Sequence, residues 1–189
     1  MEINPVKWDW ELMVFLNNLS PDVLNPFWSF VTYTKHWIPF FILLMALFFY
    51  KSTVKRGSLG LSIVIVCVSL THLITNLTKS FVMRSRPNTV EALSEVIKVL
   101  YEPSHSSFFS GHASTSFAAT VFIFLSLKFK YKYLGLIFIW PILFSSSRIL
   151  VGVHFPSDVI VGGVVGTMLA ILSYKLYNFL LYKLVHIGD

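Results

Sequence analysis

The sequence predicts an all-α integral membrane helical bundle: five transmembrane helices, six if the first 34 residues supply one more, plus an N-terminal interfacial helical segment. Two observations carry this fold class. Hydrophobic residues make up 55% of the 189 and charged residues only 13%, about half the usual share of a soluble domain; mean hydropathy is +0.70. A chain this short cannot hide that much apolar surface in its own core. The apolar residues, 18 phenylalanines among them, also fall in runs long enough to cross a bilayer. Disordered, collagen-like and coiled-coil classes are excluded.

Each element follows in order. Residues 8–34 are interrupted by Asn17, Asn18, Ser20, Pro21, Asp22, Asn25 and Pro26. They read as an amphipathic interfacial helix over 8–19 followed by a short second helix. Crossing about 30 Å of hydrocarbon takes roughly 20 helical residues, which 58–78 and 158–182 supply outright. The stretches 37–50, 113–127 and 133–147 are shorter but strongly apolar. Pro141 predicts a kink in the fourth span, and Gly162 and Gly166 predict close helix packing in the fifth. Cys67, the one cysteine, lies in an apolar run and reads as an inert buried thiol.

Charge orients the bundle. Lys51, Lys55 and Arg56, then Lys128, Lys130 and Lys132, then Lys175 and Lys183 occupy loops that alternate onto one face. The positive-inside rule makes that face cytoplasmic, so the 80–111 and 148–157 loops face outward. The net charge of +6 reads as these loops and as attraction to anionic lipid, not as a nucleic-acid footprint. Residues 1–5 carry neither a basic n-region nor a small-residue cleavage site, so no cleaved leader is expected.

The polar residues gather at the outward ends of the spans. Lys79, Arg84 and Arg86 leave the second span, and Ser110-Gly111-His112 enters the third. Ser147-Arg148 ends the fourth, and His154 and Asp158 lead into the fifth. Arginine forks and a lysine charge suit phosphate oxygens. A helix start at Ser110-Gly111 offers free N–H groups to an anion, with Gly111 permitting close approach. A histidine four residues before an aspartate can be held with one nitrogen as N–H and the other free to attack. Arg84 or Lys98 alone reads as a solvated charge, and His36, His72, His105 and His186 as hydrogen-bonded or interfacial; His72, with Thr71, Thr75 and Asn76, is expected to bond between helices. Glu102, His105 and His112 match no metal-site spacing, and Ser110 lacks a nucleophile elbow.

With those residues in view, a resemblance is plain. Lys79-x6-Arg86-Pro87, Ser110-Gly111-His112 and Ser147-Arg148-x5-His154-x3-Asp158 resemble, in order and spacing, the three signatures of the type 2 phosphatidic acid phosphatase (PAP2) superfamily. Phe109 stands where the second signature has proline. The resemblance implies one PAP2-like membrane domain over 1–189, with 1–34 as N-terminal interfacial helices and 35–189 as the transmembrane catalytic core. It implies a metal-independent phosphatase without cofactor, working through a phosphohistidine. His154 would be the nucleophile, Asp158 its orienting partner and His112 the acid. Lys79, Arg86, Arg148 and the Ser110-Gly111 backbone would bind the phosphoryl group. Arg84, outside the motif, is assigned to a second phosphate.

The expected function is hydrolysis of a lipid phosphate or diphosphate at the outer side of a cell inner (cytoplasmic) membrane. Undecaprenyl diphosphate is the first choice, because the core is minimal, the site opens outward, and Arg84 and Lys98 offer spare charge. The chain is thus similar to bacterial undecaprenyl-diphosphate phosphatases of this family. Phosphatidylglycerol phosphate, phosphatidate and lipid A phosphates are the alternatives. Vanadate-dependent haloperoxidases share the motifs but are soluble, and a lipid transporter or scaffold would carry its charges near the midplane. The expected partners are the bilayer and the lipid phosphate, with no nucleic acid; oligomeric state is left open.

Overall fold

A computed structural model of the protein describes residues 5–50, 52–103 and 106–186; Lys51, His105 and the side chain of His186 lie outside that description. The described residues are helical and turn structure without a strand. Eight α-helices follow one another: α1 (Pro5–Leu19), α2 (Asn25–Thr32), α3 (Ile38–Ala46), α4 (Val54–Val82), α5 (Glu91–Ser94), α6 (Gly111–Leu127), α7 (Ile139–Leu150) and α8 (Pro156–His186). Two regions, Val54–Thr89 and Pro156–Leu184, are long and apolar enough to cross a membrane, and Thr34–Ala46, Gly111–Leu127 and Leu134–Leu150 are shorter apolar stretches. Only 33% and 17% of the apolar windows of the two long ones are buried. Ile65, Leu73 and Leu77 on α4 and Val164, Met168 and Leu172 on α8 point outward. Apolar surface left outside at that scale needs lipid around it.

The elements fall close to their expected places, with two differences. The first apolar stretch is α-helical only to Ala46; beyond it the chain closes hydrogen-bonded turns, Phe48 N–H to Met45 O at 3.2 Å and Phe49 N–H to Ala46 O at 3.0 Å. Pro141 does not kink a helix interior: it sits in the first turn of α7, where its missing N–H has no partner to lose, and the change of winding is the 3-10 helix Leu134–Phe138 ahead of it. His72 bonds Asn76 of its own helix at 3.0 Å rather than a neighbour. The bond between helices is Thr75 to Ser114, 2.9 Å between hydroxyls.

Helix α8 packs most extensively on α6. The glycine spacing explains how: a Cβ at Gly162 would lie 2.6 Å from Ser110 O, and one at Gly166 2.1 Å from Ser114 O. The two backbones touch, so the start of α6 and the start of α8 share one end of the bundle. Below them a core of Leu44, Phe48, Ile63, Phe122, Ile123 and Leu127 fills the centre. Above, a smaller cluster of Met13, Leu93, Ile97, Ile149 and Phe155 fastens α1 over the same end.

Candidate active site

Four helix ends build the site. Helix α4 stops where Met83 enters the left-handed region, φ 46°, and its N–H closes on Lys79 O at 3.1 Å. That cap turns the following strand of cations back over the bundle. Lys79 Nζ donates to Ser106 O at 3.0 Å and Arg86 Nη2 to the same carbonyl at 3.3 Å, so one oxygen draws both cations together. Arg86 Nη1 also donates to Val153 O, 2.9 Å, and to His154 Nε2, 3.2 Å.

That last contact fixes the imidazole. A guanidinium only donates, so Nε2 is the acceptor and Nδ1 carries the proton. Nδ1 faces Asp158 Oδ2 at 3.4 Å. The same oxygen accepts from Phe155 N–H at 3.0 Å and from the Ser107 hydroxyl, while Oδ1 accepts from Arg84 Nη1 at 2.7 Å. Asp158 is fully buried, His154 2% exposed, and the carboxylate occupies the first turn of α8, where the helix dipole favours it. Burial holds His154 well below the ordinary histidine range, and Arg148, Arg86 and Lys79 push it further the same way.

Helix α7 and the segment after α2 supply the other wall. Arg148 Nη1 donates to Thr32 Oγ1 at 2.6 Å, and His112 Nε2–H to Thr32 O at 3.1 Å. A carbonyl only accepts, which leaves Nδ1 as the basic nitrogen of His112. Its ring stacks on Phe144, centroids 4.4 Å apart. Arg148 Nε is buried without a hydrogen-bond partner among the described residues, an arrangement that suits an anion not provided by the protein. A cavity of about 220 Å³ opens here, lined by Thr32, Thr34, Lys35, Tyr101, His112 and Arg148. A second, apolar cavity of about 360 Å³ among Phe41, Met45, Val64, Val68, Trp140 and Phe144 shares Thr34 and His112 with it. His112 therefore stands between a cationic chamber and an apolar groove.

Of the eight residues expected in the site, His112 and Arg148 line this chamber, and Arg148, Arg86 and Lys79 are close enough to act on the charge of His154, which Asp158 adjoins. Ser110 does not offer its amide: that N–H donates to Asp158 O at 3.0 Å, and its hydroxyl caps Ala113 N–H. Gly111 opens α6 as expected, and a Cβ there would meet nothing closer than Thr75 Cγ2 at 3.6 Å. The second-phosphate assignment of Arg84 is overturned, because its two ends are held by Asp158 and Asp9, each at 2.7 Å. Lys98 is likewise engaged, pairing with Asp22 at 2.7 Å and donating to Ser20 O.

Sequence reasoning missed Asp9, Asn17, Thr32, Lys35, Ser107 and Gly152. Asn17 reaches across to Ile149 O at 3.0 Å and Lys98 N–H at 2.7 Å. Gly152, φ +82°, makes the tight turn from Arg148 to His154, and a Cβ there would strike Lys98 O at 2.3 Å. The Asp9, Met13, Asn17 spacing of four was the available signal for α1: it puts two polar side chains on one stripe of an apolar helix.

Known proteins resemble this chain in sequence and in fold. The profile of the PAP2 superfamily matches residues 60–182. A lipid A 4'-phosphatase of Porphyromonas gingivalis is 27% identical over 173 residues, 89% of this chain and 72% of that protein. The crystal structure of Aquifex aeolicus LpxE superposes with a TM-score of 0.68 at 27% identity, covering 87% of this chain and 93% of that one. That of a transmembrane PAP2-type phosphatidylglycerolphosphate phosphatase from Bacillus subtilis gives 0.70 at 23%, covering 93% and 87%.

Proposed function

The chain belongs to the PAP2 superfamily and is a membrane lipid phosphatase; we propose that it cleaves a lipid phosphate through a phosphohistidine on His154, at the extracytoplasmic face of a bacterial cytoplasmic membrane. One observation carries this reading: His112 separates a chamber holding Arg148 from an apolar groove. A lipid phosphate has the same two halves joined at one oxygen, and that oxygen is the leaving group.

In this mechanism Lys79, Arg86 and Arg148 bind the phosphoryl oxygens, with the Gly111 end of α6 facing them; Arg148 Nε gains the acceptor it lacks. Nε2 of His154 attacks phosphorus, and Asp158 holds Nδ1–H and balances the ring's new charge. The bond from phosphorus to the lipid oxygen breaks, and that oxygen takes the proton that His112, entering the cycle as imidazolium, carries on Nδ1. A water, deprotonated by His112, then opens the phosphohistidine, releasing phosphate and restoring both rings. Residues 35–189 supply this machinery as one domain with the interfacial helices of 1–34, though Thr32 reaches into it from the latter.

Arg84 and Lys98 no longer favour a diphosphate. Lys35 at the chamber wall is the remaining extra cation, and the likeness to a lipid A 4'-phosphatase supports a phosphate monoester. We therefore place lipid monoesters ahead of undecaprenyl diphosphate. Phosphate release in detergent from lipid A, phosphatidylglycerol phosphate, phosphatidate and undecaprenyl diphosphate tests this, with His154→Ala as control. Higher kcat/KM for a monoester is expected. A clear preference for undecaprenyl diphosphate overturns the substrate ranking, and full activity of His154→Ala overturns the mechanism.

A further inference from the structure

The first helix carries a buried carboxylate that the mechanism does not use. Asp9 is 1% exposed on a helix whose other buried residues are Met13 and Asn17. Its Oδ1 accepts from the Ser157 main-chain N–H at 3.0 Å; its Oδ2 accepts from the Ser157 hydroxyl and from Arg84 Nη2 at 2.7 Å. Each of these partners adjoins Asp158. Arg84 Nη1 donates to Asp158 Oδ1 at 2.7 Å and to Ser157 Oγ at 2.8 Å, and its guanidinium lies over the Phe155 ring, 4.1 Å from the centroid.

We infer that Asp9 and Arg84 are positioning residues: one guanidinium fork spans Asp9 and Asp158, so α1 sets the place and the effective charge of the carboxylate behind the nucleophile. The inference rests on the phosphohistidine reading above. Its physics is a sharing of charge. A guanidinium facing Asp158 alone would neutralise it and weaken its hold on the imidazolium-like phosphohistidine. Asp9 takes one arm of the fork, and Asp158 keeps more of its charge for His154. The planar fork matters because it reaches two carboxylates at once at fixed separation, which an ammonium cannot do.

The groups facing His154 are Lys79 of α4, Arg86 of the following loop, His112 of α6, Arg148 of α7 and Asp158 of α8. Asp158 is the one anion among them, so any loss of its charge lets His154 shed its proton at lower pH.

The test compares Asp9→Asn, Arg84→Lys and Met13→Ala with the parent protein in detergent, using dioctanoyl phosphatidate. Asp9→Asn should lower kcat about tenfold with KM within twofold, and move the acid limb of kcat/KM to lower pH. Met13→Ala loosens the same helix without touching the charges; it should lower Tm and leave the acid limb in place. The His154 ring titration, followed by NMR of 15N-histidine-labelled protein, reads the same displacement without turnover. It therefore judges the inference even if phosphatidate is not cleaved, a result that would only remove phosphatidate from the substrates proposed above. If Asp9→Asn does not fold, Arg84→Lys decides: a comparable loss of kcat at unchanged KM supports the relay, and parental kcat overturns it. An unmoved His154 titration in folded Asp9→Asn also overturns it.

Discussion

In the proposed mechanism His154 concentrates the chemistry, because its two nitrogens have different partners. Arg86 can only donate to Nε2 and Asp158 can only accept from Nδ1, so the lone pair proposed to attack points at Arg86, one of the proposed phosphate-binding cations. His154→Ala should abolish turnover and phosphoenzyme labelling; Asp158→Asn should cost about 10²- to 10⁴-fold in kcat, as loss of an orienting anion does elsewhere. His112→Ala should slow phosphoenzyme formation from a lipid far more than from a substrate with a good leaving group, which single-turnover labelling would reveal. The pH dependence has a definite sign. A neutral ring is required for attack, and burial with three nearby cations holds His154 below its usual 6.5, so the acid limb of kcat/KM should lie below that value. The same shift acts on folding: the unfolded ring takes up a proton that the folded one resists. Its contribution to stability is therefore full above about pH 6.5 and is lost as pH falls below it.

Helices place these residues, and the glycines of α8 set the closest tolerance. With Gly166 against Ser114 O and Gly162 against Ser110 O, adding one methyl forces α6 and α8 apart at the point where His112 and His154 are supported. Gly166→Ala should cost about 1–3 kcal/mol as an overpacking defect, read as a lower Tm, and should reduce kcat as well. These helices were legible in the sequence because apolar length and the glycine pair are local signals. The roles of α1 and α2 were not. Asp9 and Thr32 act through partners 148 and 116 residues away; the Asp9, Met13, Asn17 spacing marks a stripe on α1 without naming its partner, and nothing beside Thr32 marks it at all. Arg84 misled for the same reason: its charge was visible, but the two carboxylates that claim it were not.

At the scale of the whole molecule, motif order predicted which residues meet, since each motif sits at a helix end and alternating helices bring those ends to one face. What stayed hidden was the chamber's other wall, made by Thr32 and Lys35 ahead of the first apolar stretch, and the groove beyond His112. The proposed orientation rests on the loop charges. In a Cys67→Ser background, Asn88→Cys should react with an impermeant maleimide in intact cells and Ser52→Cys only after lysis; the reverse pattern would put the chemistry in the cytoplasm. Among the described residues no three His, Cys, Asp or Glu side chains are gathered as metal ligands, and cations already surround the phosphate site. Activity should therefore persist in excess EDTA, and vanadate should inhibit as a mimic of the five-coordinate phosphoryl state. The hydrogen bonds that join Asp9 to Ser157 and Thr32 to Arg148 also tie the first two helices to the candidate site. In the proposed mechanism the site is therefore complete only when α1 and the end of α2 are docked against the Arg148–Asp158 region.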